Sequence, residues 1–379
     1  MRTPRWLLPA AAAIVAAMAV IVPGPRRDPS AATSFAPSPA FAGDPQAARG
    51  PHVAILATPP DGAHTSLYLA RPGDTGGARA PVATFTHLEG AAVRGAVLPG
   101  SSTVLAVADT RPARDLSFAA SLVRLAPHSP PEMLCDRVVH ASRPLVTATG
   151  RVFVSRGVAG PEVEGAFRAD DLTIDEIDPA TGRTRTVLAF HGYLAFLAGA
   201  HGPEVLVYRV GPGGANLAGV DPDTGAVRVI TQLLPFARDF SVGDGVVVFQ
   251  ERDEHDTRAW TIDRVDLASG ARTRLHTGPS MSLAPFAWPG GGVAWSSNGR
   301  GGLAMLAGQR PLAAAPLGEG VDLVRAVSAD GAWVAALHTV TGKLPVPFAV
   351  NTQTGAAAAI AAPGGVRIEI AGFVDGGAP

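Results

Sequence analysis

The chain is nearly devoid of cysteine. Cys135 is the only one in 379 residues, which excludes an intrachain disulfide and any cysteine-built metal site; a lone cysteine of this kind reads as a buried apolar filler. Charge is scarce as well: Asp, Glu, Lys and Arg make up 17% of the residues and cancel to a formal net charge of −1. A near-neutral chain exerts no global pull on nucleic acid or acidic lipid, so nucleic acid is not an expected partner. Aromatic residues amount to 6%, and no run of helical periodicity follows residue 30. Neither a Gly-x-Ser-x-Gly elbow nor a His-Glu-x-x-His pair occurs. His87, His140 and His201 fit no zinc spacing. The stretch Gly211-Pro-Gly-Gly214 contains proline and lacks a following lysine, so it is no phosphate loop. No cofactor and no metal site are assigned.

Glycine (44) and proline (34) are abundant instead, as many turns between short strands require. One phrase keeps returning: Ile177-Asp-Pro-Ala-Thr-Gly182, Val220-Asp-Pro-Asp-Thr-Gly225, Val265-Asp-Leu-Ala-Ser-Gly270 and, more faintly, Val350-Asn-Thr-Gln-Thr-Gly355. Each copy joins two apolar strands through a turn in which Gly supplies the positive φ and the Asp or Asn side chain caps the turn backbone. The first three copies are 43 and 45 residues apart, the period of a propeller blade with four short strands. Weaker copies lie at Leu67–Gly76, Leu122–Pro131 and Leu303–Arg310, which brings the count to seven hairpins. Inner strand pairs are expected before them, over Asp239–Phe249, Ala287–Trp295 and Ala326–Ala336. Trp288, Trp295 and Trp333 fall in such segments and Trp260 in a third strand, where packing between blades is their expected work.

Within the last of these pairs, Ser328-Ala-Asp-Gly-Ala-Trp-Val334 resembles the Ser-x-Asp-Gly-x-x-apolar repeat of TolB-like (PD40, WD40-like) propellers. The repeat pattern covers roughly residues 52–374, with this one copy close to the family form. TolB proteins also carry an N-terminal α/β domain, for which there is no room here, so the resemblance implies the fold and not the function. The expected architecture is an all-β, seven-bladed β-propeller. Its first unit, His52–Phe85, has three strands, and the C-terminal strand over 366–374 is expected to pair with it and close the ring, removing two exposed sheet edges.

The N-terminus has the form of an export signal: a basic start, Met1-Arg-Thr-Pro-Arg5, then the uncharged apolar stretch Trp6–Val22. It reads either as a cleaved signal or as a retained anchor, being somewhat short of the ~20 residues of a membrane span. The expected layout is 1–27 signal or anchor, 28–50 a disordered Pro/Ala-rich linker, and 51–379 the propeller, placed in the periplasm or outside the cell.

Loops carry function on a rigid scaffold. The loops joining second to third strands share one propeller face, and three of them are charged: Asp109–Asp115 with Arg111 and Arg114; Arg156–Asp171 with Glu162, Glu164, Arg168 and Asp170; and Glu251–Arg258 with Glu251, Arg252, Asp253, His255 and Arg258. Together with Arg238 and Asp239 they are the candidate binding residues, a polar rim suited to an envelope protein, a peptide or a glycan. Glu251, Asp253, Glu254 and Asp256 have oxygens suited to Ca²⁺ but read as a solvated acidic tip. The leading expectation is a non-enzymatic binding or scaffolding module of the cell envelope. One alternative is an enzyme acting on a saccharide or peptide at the axial mouth, with Arg94, Arg238, Asp239 and Arg325 at inner-strand ends; another is a membrane-anchored sensor.

Overall fold

A computed structural model describes residues 33–35, 50–60, 62–74, 77–111, 118–159, 169–191, 194–211, 213–252, 259–278, 284–296, 303–305 and 319–374. Strands follow one another throughout. They are β1 (Thr33–Phe35), β2 (His52–Thr58), β3 (His64–Ala70), β4 (Gly77–Arg79) and β5 (Ala83–Thr86), then β6 (Arg94–Val97), β7 (Val104–Asp109), β8 (Ala120–Leu125) and β9 (Glu132–Val138). Next come β10 (Leu145–Val146), β11 (Val152–Ala159), β12 (Ala169–Ile177) and β13 (Thr184–Phe190), followed by β14 (Leu194–His201), β15 (Glu204–Gly211), β16 (Gly214–Val220) and β17 (Val227–Leu233). The chain continues with β18 (Phe236–Gly243), β19 (Val246–Arg252), β20 (Trp260–Asp266) and β21 (Arg272–Gly278), and then β22 (Phe286–Trp288), β23 (Gly292–Ser296) and β24 (Leu303–Met305). It ends with β25 (Val321–Val327), β26 (Trp333–Thr339), β27 (Val346–Asn351), β28 (Ala357–Ala359) and β29 (Arg367–Val374). Among the described residues no helix is long and apolar enough to cross a membrane.

The fold is an all-β propeller. Four separate four-stranded sheets stand among the described residues, rather than seven: β29-β2-β3-β5, β14 to β17, β18 to β21 and β25 to β28. The count departs from expectation for two reasons. A single pairing, Arg156 with Val138, merges β6–β9 and β10–β13 into one eight-stranded sheet, and β22–β24 form a three-stranded one. First strands meet first strands around the axis: β29 touches β6, β6 touches β10, β10 touches β14, β14 touches β18, β18 touches β22, and β25 touches β29. Closure runs through β29, which pairs antiparallel with β2 from His52 opposite Val374 to Thr58 opposite Arg367. Inside the segment expected as a linker, β1 pairs with β4.

Burial follows position in the blade. The second strands β7 (Val-Leu-Ala-Val-Ala-Asp) and β26 are buried on both faces along nearly their whole length, which explains their unbroken apolar runs. The outer strands β13 and β17 are largely exposed. Apolar clusters lie between neighbouring blades: Leu206, Tyr208, Val247 and Phe249 join β15 to β19, and Ile55, Ile370, Trp333 and Leu337 lock the closing blade to its predecessor. Truncating a fully buried ring such as Phe249 would cost about 3–5 kcal/mol.

The recurring turn forms as its residues require. Gly182, Gly225, Gly270 and Gly355 each have φ of 72–73° and each donate a 2.8 Å backbone bond to the carbonyl of the Asp or Asn four positions earlier. The side chains of Asp178, Asp221 and Asn351 accept from backbone N–H groups two positions on, and Asp266 accepts from that of Ser269. The Thr181 hydroxyl bonded to Asp178, and these backbone N–H groups at all three, stabilise the carboxylates and hold the carboxyl groups of Asp178, Asp221 and Asp266 below their ordinary value. The turns are also gripped from the preceding blade: guanidinium groups of Arg124, Arg185 and Arg228 donate to the carbonyls of Pro179, Pro222 and Leu267 at 2.8, 2.7 and 3.2 Å. The repeated phrase is therefore both a turn and an inter-blade contact.

Candidate functional site

Four of the first strands share a device at or next to their fifth residue. In β14 the register slips around Ala198, in β25 around Arg325, and in β29 around Ala371; in β18 it slips across Asp239 and Phe240. A β-bulge of this kind re-aims a side chain and strengthens the local twist. Where the bulged residue is Ala198 or Ala371, it is a buried filler. In β25 the same position carries charge, Arg325; in β18 it holds Phe240, and Asp239 just before it lies within the same slip with φ 54°.

Arg94 opens β6, and Arg143 precedes β10. Both converge on Glu369 of β29: Arg94 Nη1 lies 3.2 Å from Glu369 Oε2, and Arg143 Nη2 pairs with Oε1. Arg143 Nη1 also donates to the backbone carbonyl of Arg325 at 3.0 Å. Three blades and the closing strand thus meet at one carboxylate. Glu369 is buried, whereas the side chains of Arg94 and Arg143 are 41% and 35% exposed. Burial alone would push its carboxyl up, but Arg143, Arg94 and Arg325 outweigh that effect and hold it below the ordinary value. Burial pulls the Arg325 guanidinium below its ordinary value, opposed by Glu369 and Asp239 and reinforced by Arg143 and Arg94. Its Nε is shut off from solvent and has no hydrogen-bond partner among the described residues.

The β18 side of the mouth is aromatic and cationic. Arg238 lies 3.4 Å from Asp239 and stacks over Trp260 at 4.3 Å. Arg252 lies over Phe236 and Trp260 at 4.7 and 5.3 Å, and Gln250 Nε2 donates to Asp239. Such stacking suits guanidinium in a way ammonium does not match; Lys343 is the only lysine in the chain.

A second tier of histidines lies at the same strand ends. His140 Nδ1 lies 2.7 Å from Asp109 Oδ2, with Asp109 buried. His338 Nδ1 lies 2.7 Å from Asp322 Oδ1, both buried. His87 Nε2 lies 2.8 Å from Thr65 Oγ1, which lies 2.7 Å from Thr58 Oγ1. Burial lowers the pKa of His87 and favours its neutral form. Among the described residues no three His, Cys, Asp or Glu side chains group as metal ligands.

The candidate binding residues are distributed unevenly. Arg111 pairs with Asp136, whose carboxyl is lowered chiefly by that bond. Arg114, Glu162, Glu164, Arg168, Asp253, His255 and Arg258 lie outside the described residues, and Asp170 is placed in β12. Glu251 departs from the rim expected of it. It sits within β19, fully buried, pairs with Arg272, and accepts from the Leu234 backbone N–H at 3.0 Å. Asp263, 1% exposed, shares Arg272 at 3.1 Å. The cause is strand length: β19 runs through Arg252, so only the later part of Glu251–Arg258 connects the strands. Of the axial candidates, Arg94 and Arg325 meet around Glu369, while Arg143 and Glu369 were not singled out in the sequence. Arg143 lies in an inter-blade loop and its partner is 226 positions away.

No family model matches this chain, and no curated protein matches it in sequence. Several solved structures are similar. TolB from Acinetobacter baumannii shares 12% identity at a TM-score of 0.46, over 85% of this chain and 67% of that one. An oligogalacturonate lyase in complex with manganese shares 15% at 0.42, over 68% and 73%. A chain of a nidogen/laminin complex shares 10% at 0.43, over 85% and 97%. The likeness to TolB-like propellers is one of fold alone.

Proposed function

We propose that this chain is a binding module of the cell envelope. In this reading residues 1–27 export or anchor it, residues 28–50 tether it, and a propeller over 51–379 receives an envelope protein, a peptide or a glycan on the face that bears the axial mouth. Seven blades belong to this reading: the eight-stranded sheet counts as two joined at Arg156 and Val138, and β22–β24 as one. The observation that carries it is the mouth itself. Half-exposed Arg94, Arg143 and Arg238 gather on one face, while the Asp-x-x-Thr-Gly turns at the other ends of the blades have their polar groups bonded internally. Arg111, just after β7, lies at the same end of the blades. The test is a crosslinked pull-down of the natively exported protein from its own membranes, with wild type beside Arg111→Glu and Arg238→Glu. A stoichiometric envelope protein retained by wild type and lost from both folded variants supports the module. Equal capture by all three proteins overturns the assigned face.

A second reading, an enzyme at the same mouth, is favoured by one observation. His140 is oriented by the buried Asp109 carboxylate through Nδ1, and Nε2 has no partner among the described residues, the arrangement of an oriented general base. Turnover of saccharide or peptide substrates that vanishes in His140→Gln would favour it over the module.

A further inference from the structure

We infer that the axial mouth is a binding site for a small oxyanion carrying two negative charges, of the dicarboxylate or phosphate type. This goes beyond the binding module proposed above and stands whether or not a macromolecule docks on that face.

Charge at the mouth does not balance. Among the described residues Arg94, Arg143 and Arg325 share the single carboxylate of Glu369, while Asp239 lies against Arg238; two of those three positive charges have no carboxylate of their own there, and Arg252 adds positive charge on the β18 side. Guanidinium stays ionised under all ordinary conditions, so the excess cannot be relieved by losing protons. In bulk water this would matter little. Here the groups are partly withdrawn from solvent by the ring of first strands, where uncompensated charge is costly and a counter-anion is held strongly. A dianion restores neutrality; a monoanion does not.

The donors are also suited to one. Arg325 Nε is buried and lacks an acceptor among the described residues, although its neighbours have acceptors of their own. Arg94 spends Nη1 on Glu369, and Arg143 spends both terminal nitrogens on Glu369 and backbone carbonyls while keeping a third of its side chain exposed. Arginine forks match carboxylate and phosphate oxygens in bidentate fashion. The bulge in β25 gives the mouth its charge at a position that in β14 and β29 holds only Ala198 and Ala371. That is a placed cation, since alanine serves at the same bulge in β14 and β29.

The site binds through chemistry that dicarboxylates and phosphates share, so the test separates them. The full chain is titrated calorimetrically, at constant ionic strength, with malonate, inorganic phosphate and sulfate, and with acetate and chloride as monoanion controls. A saturable one-to-one site is expected that takes at least one dianion about tenfold or more tighter than acetate, as an added charge-assisted bond predicts. Tightest binding of malonate assigns a dicarboxylate; tightest binding of phosphate or sulfate assigns the tetrahedral anion. Arg325→Met and Arg94→Met should each weaken the preferred dianion about tenfold or more. Without anion, Arg325→Met should unfold at a temperature no lower than wild type, because it relieves excess charge. Dianions binding no tighter than acetate would overturn the inference. So would undiminished binding in Arg94→Met, a half-exposed residue whose loss leaves the fold readable even where Arg325→Met does not fold.

Discussion

Arg143 donates to Glu369 across 226 positions of sequence, and that one bond ties the loop ahead of β10 to the strand that closes the ring. The carboxylate is buried and answers also to Arg94 at 3.2 Å. Replacing Glu369 with Gln leaves guanidinium groups facing a neutral amide, and breaking a buried ion pair from one side costs about 3 kcal/mol or more. The partial exposure of Arg94 and Arg143 keeps the loss near the low end of that range. The acid limb has a definite sign. The folded carboxyl lies below its ordinary 4.5, so its contribution is complete above that pH and is lost as pH falls through the folded value. Urea unfolding from pH 3 to 7 should show Glu369→Gln less stable than wild type at neutral pH, with the gap narrowing in acid (about 3 to 7 spans the carboxylate range). A gap that widens in acid would contradict the ion-pair account.

The repeated turns make a finer prediction, because their glycines have different surroundings. A Cβ on Gly270 would come within 2.5 Å of the Ile230 carbonyl oxygen, whereas on Gly225 the nearest atom is the Val187 carbonyl oxygen at 3.7 Å. Both have φ of 72°, which alone costs a non-glycine residue about 1–2 kcal/mol. Gly225→Ala should therefore cost about 1 kcal/mol and Gly270→Ala clearly more, since the preceding blade must move. Chemical denaturation midpoints decide it, and equal losses would mean that the turn does not press on its neighbour.

These turns were legible in the sequence because everything they need is local: Asp178, its capped N–H groups and Gly182 span five consecutive residues. Closure by β29 was legible for a different reason, the unpaired apolar strand pattern left at the end of the repeat. The axial site was only half legible. Arg94 and Arg325 could be placed near inner-strand ends, but the bulge that turns Arg325 depends on how β25 registers against β26, which no local pattern encodes. Glu251 was misplaced because a run of charges looks like a loop until the strand carrying its first two residues finds Arg272 two strands away. The separate sheets fell short of the seven hairpins because the outer strand of one unit pairs with the next unit at Val138 and Arg156.

His87 should report on pH before the carboxylates do. Burial lowers its pKa from 6.5, and its ring is held between Thr65 and the Leu88 carbonyl. A histidine that is harder to protonate when folded adds stability above pH 6.5, which is lost as pH falls through the folded value. Its NMR titration should show a midpoint below that of a free histidine, and His87→Asn should remove the part of the stability decline that precedes carboxylate titration. A midpoint at or above 6.5 would rule out the buried neutral ring.

Ring closure makes the strongest demand on the chain. β29 contributes the inner strand of a blade whose other strands come from the opposite end of the sequence, as Thr58 opposite Arg367 illustrates, and it fills the core with Ile368, Ile370 and Phe373. Ending the chain at residue 366 strips β2 of its partner and opens apolar surface on both sides of the closing blade. Each fully buried side chain of this kind is worth about 1.5–3 kcal/mol, so losing three exceeds a large part of the 5–15 kcal/mol typical of a domain. The truncated protein should be insoluble or lack a cooperative melt. A synthetic peptide spanning 366–374, added during refolding, should restore the melt by occupying the vacant position beside β2. A truncated chain that melts like the full protein would mean that the propeller holds together without this strand, and the pairing of β2 with β29 would then be incidental to its stability.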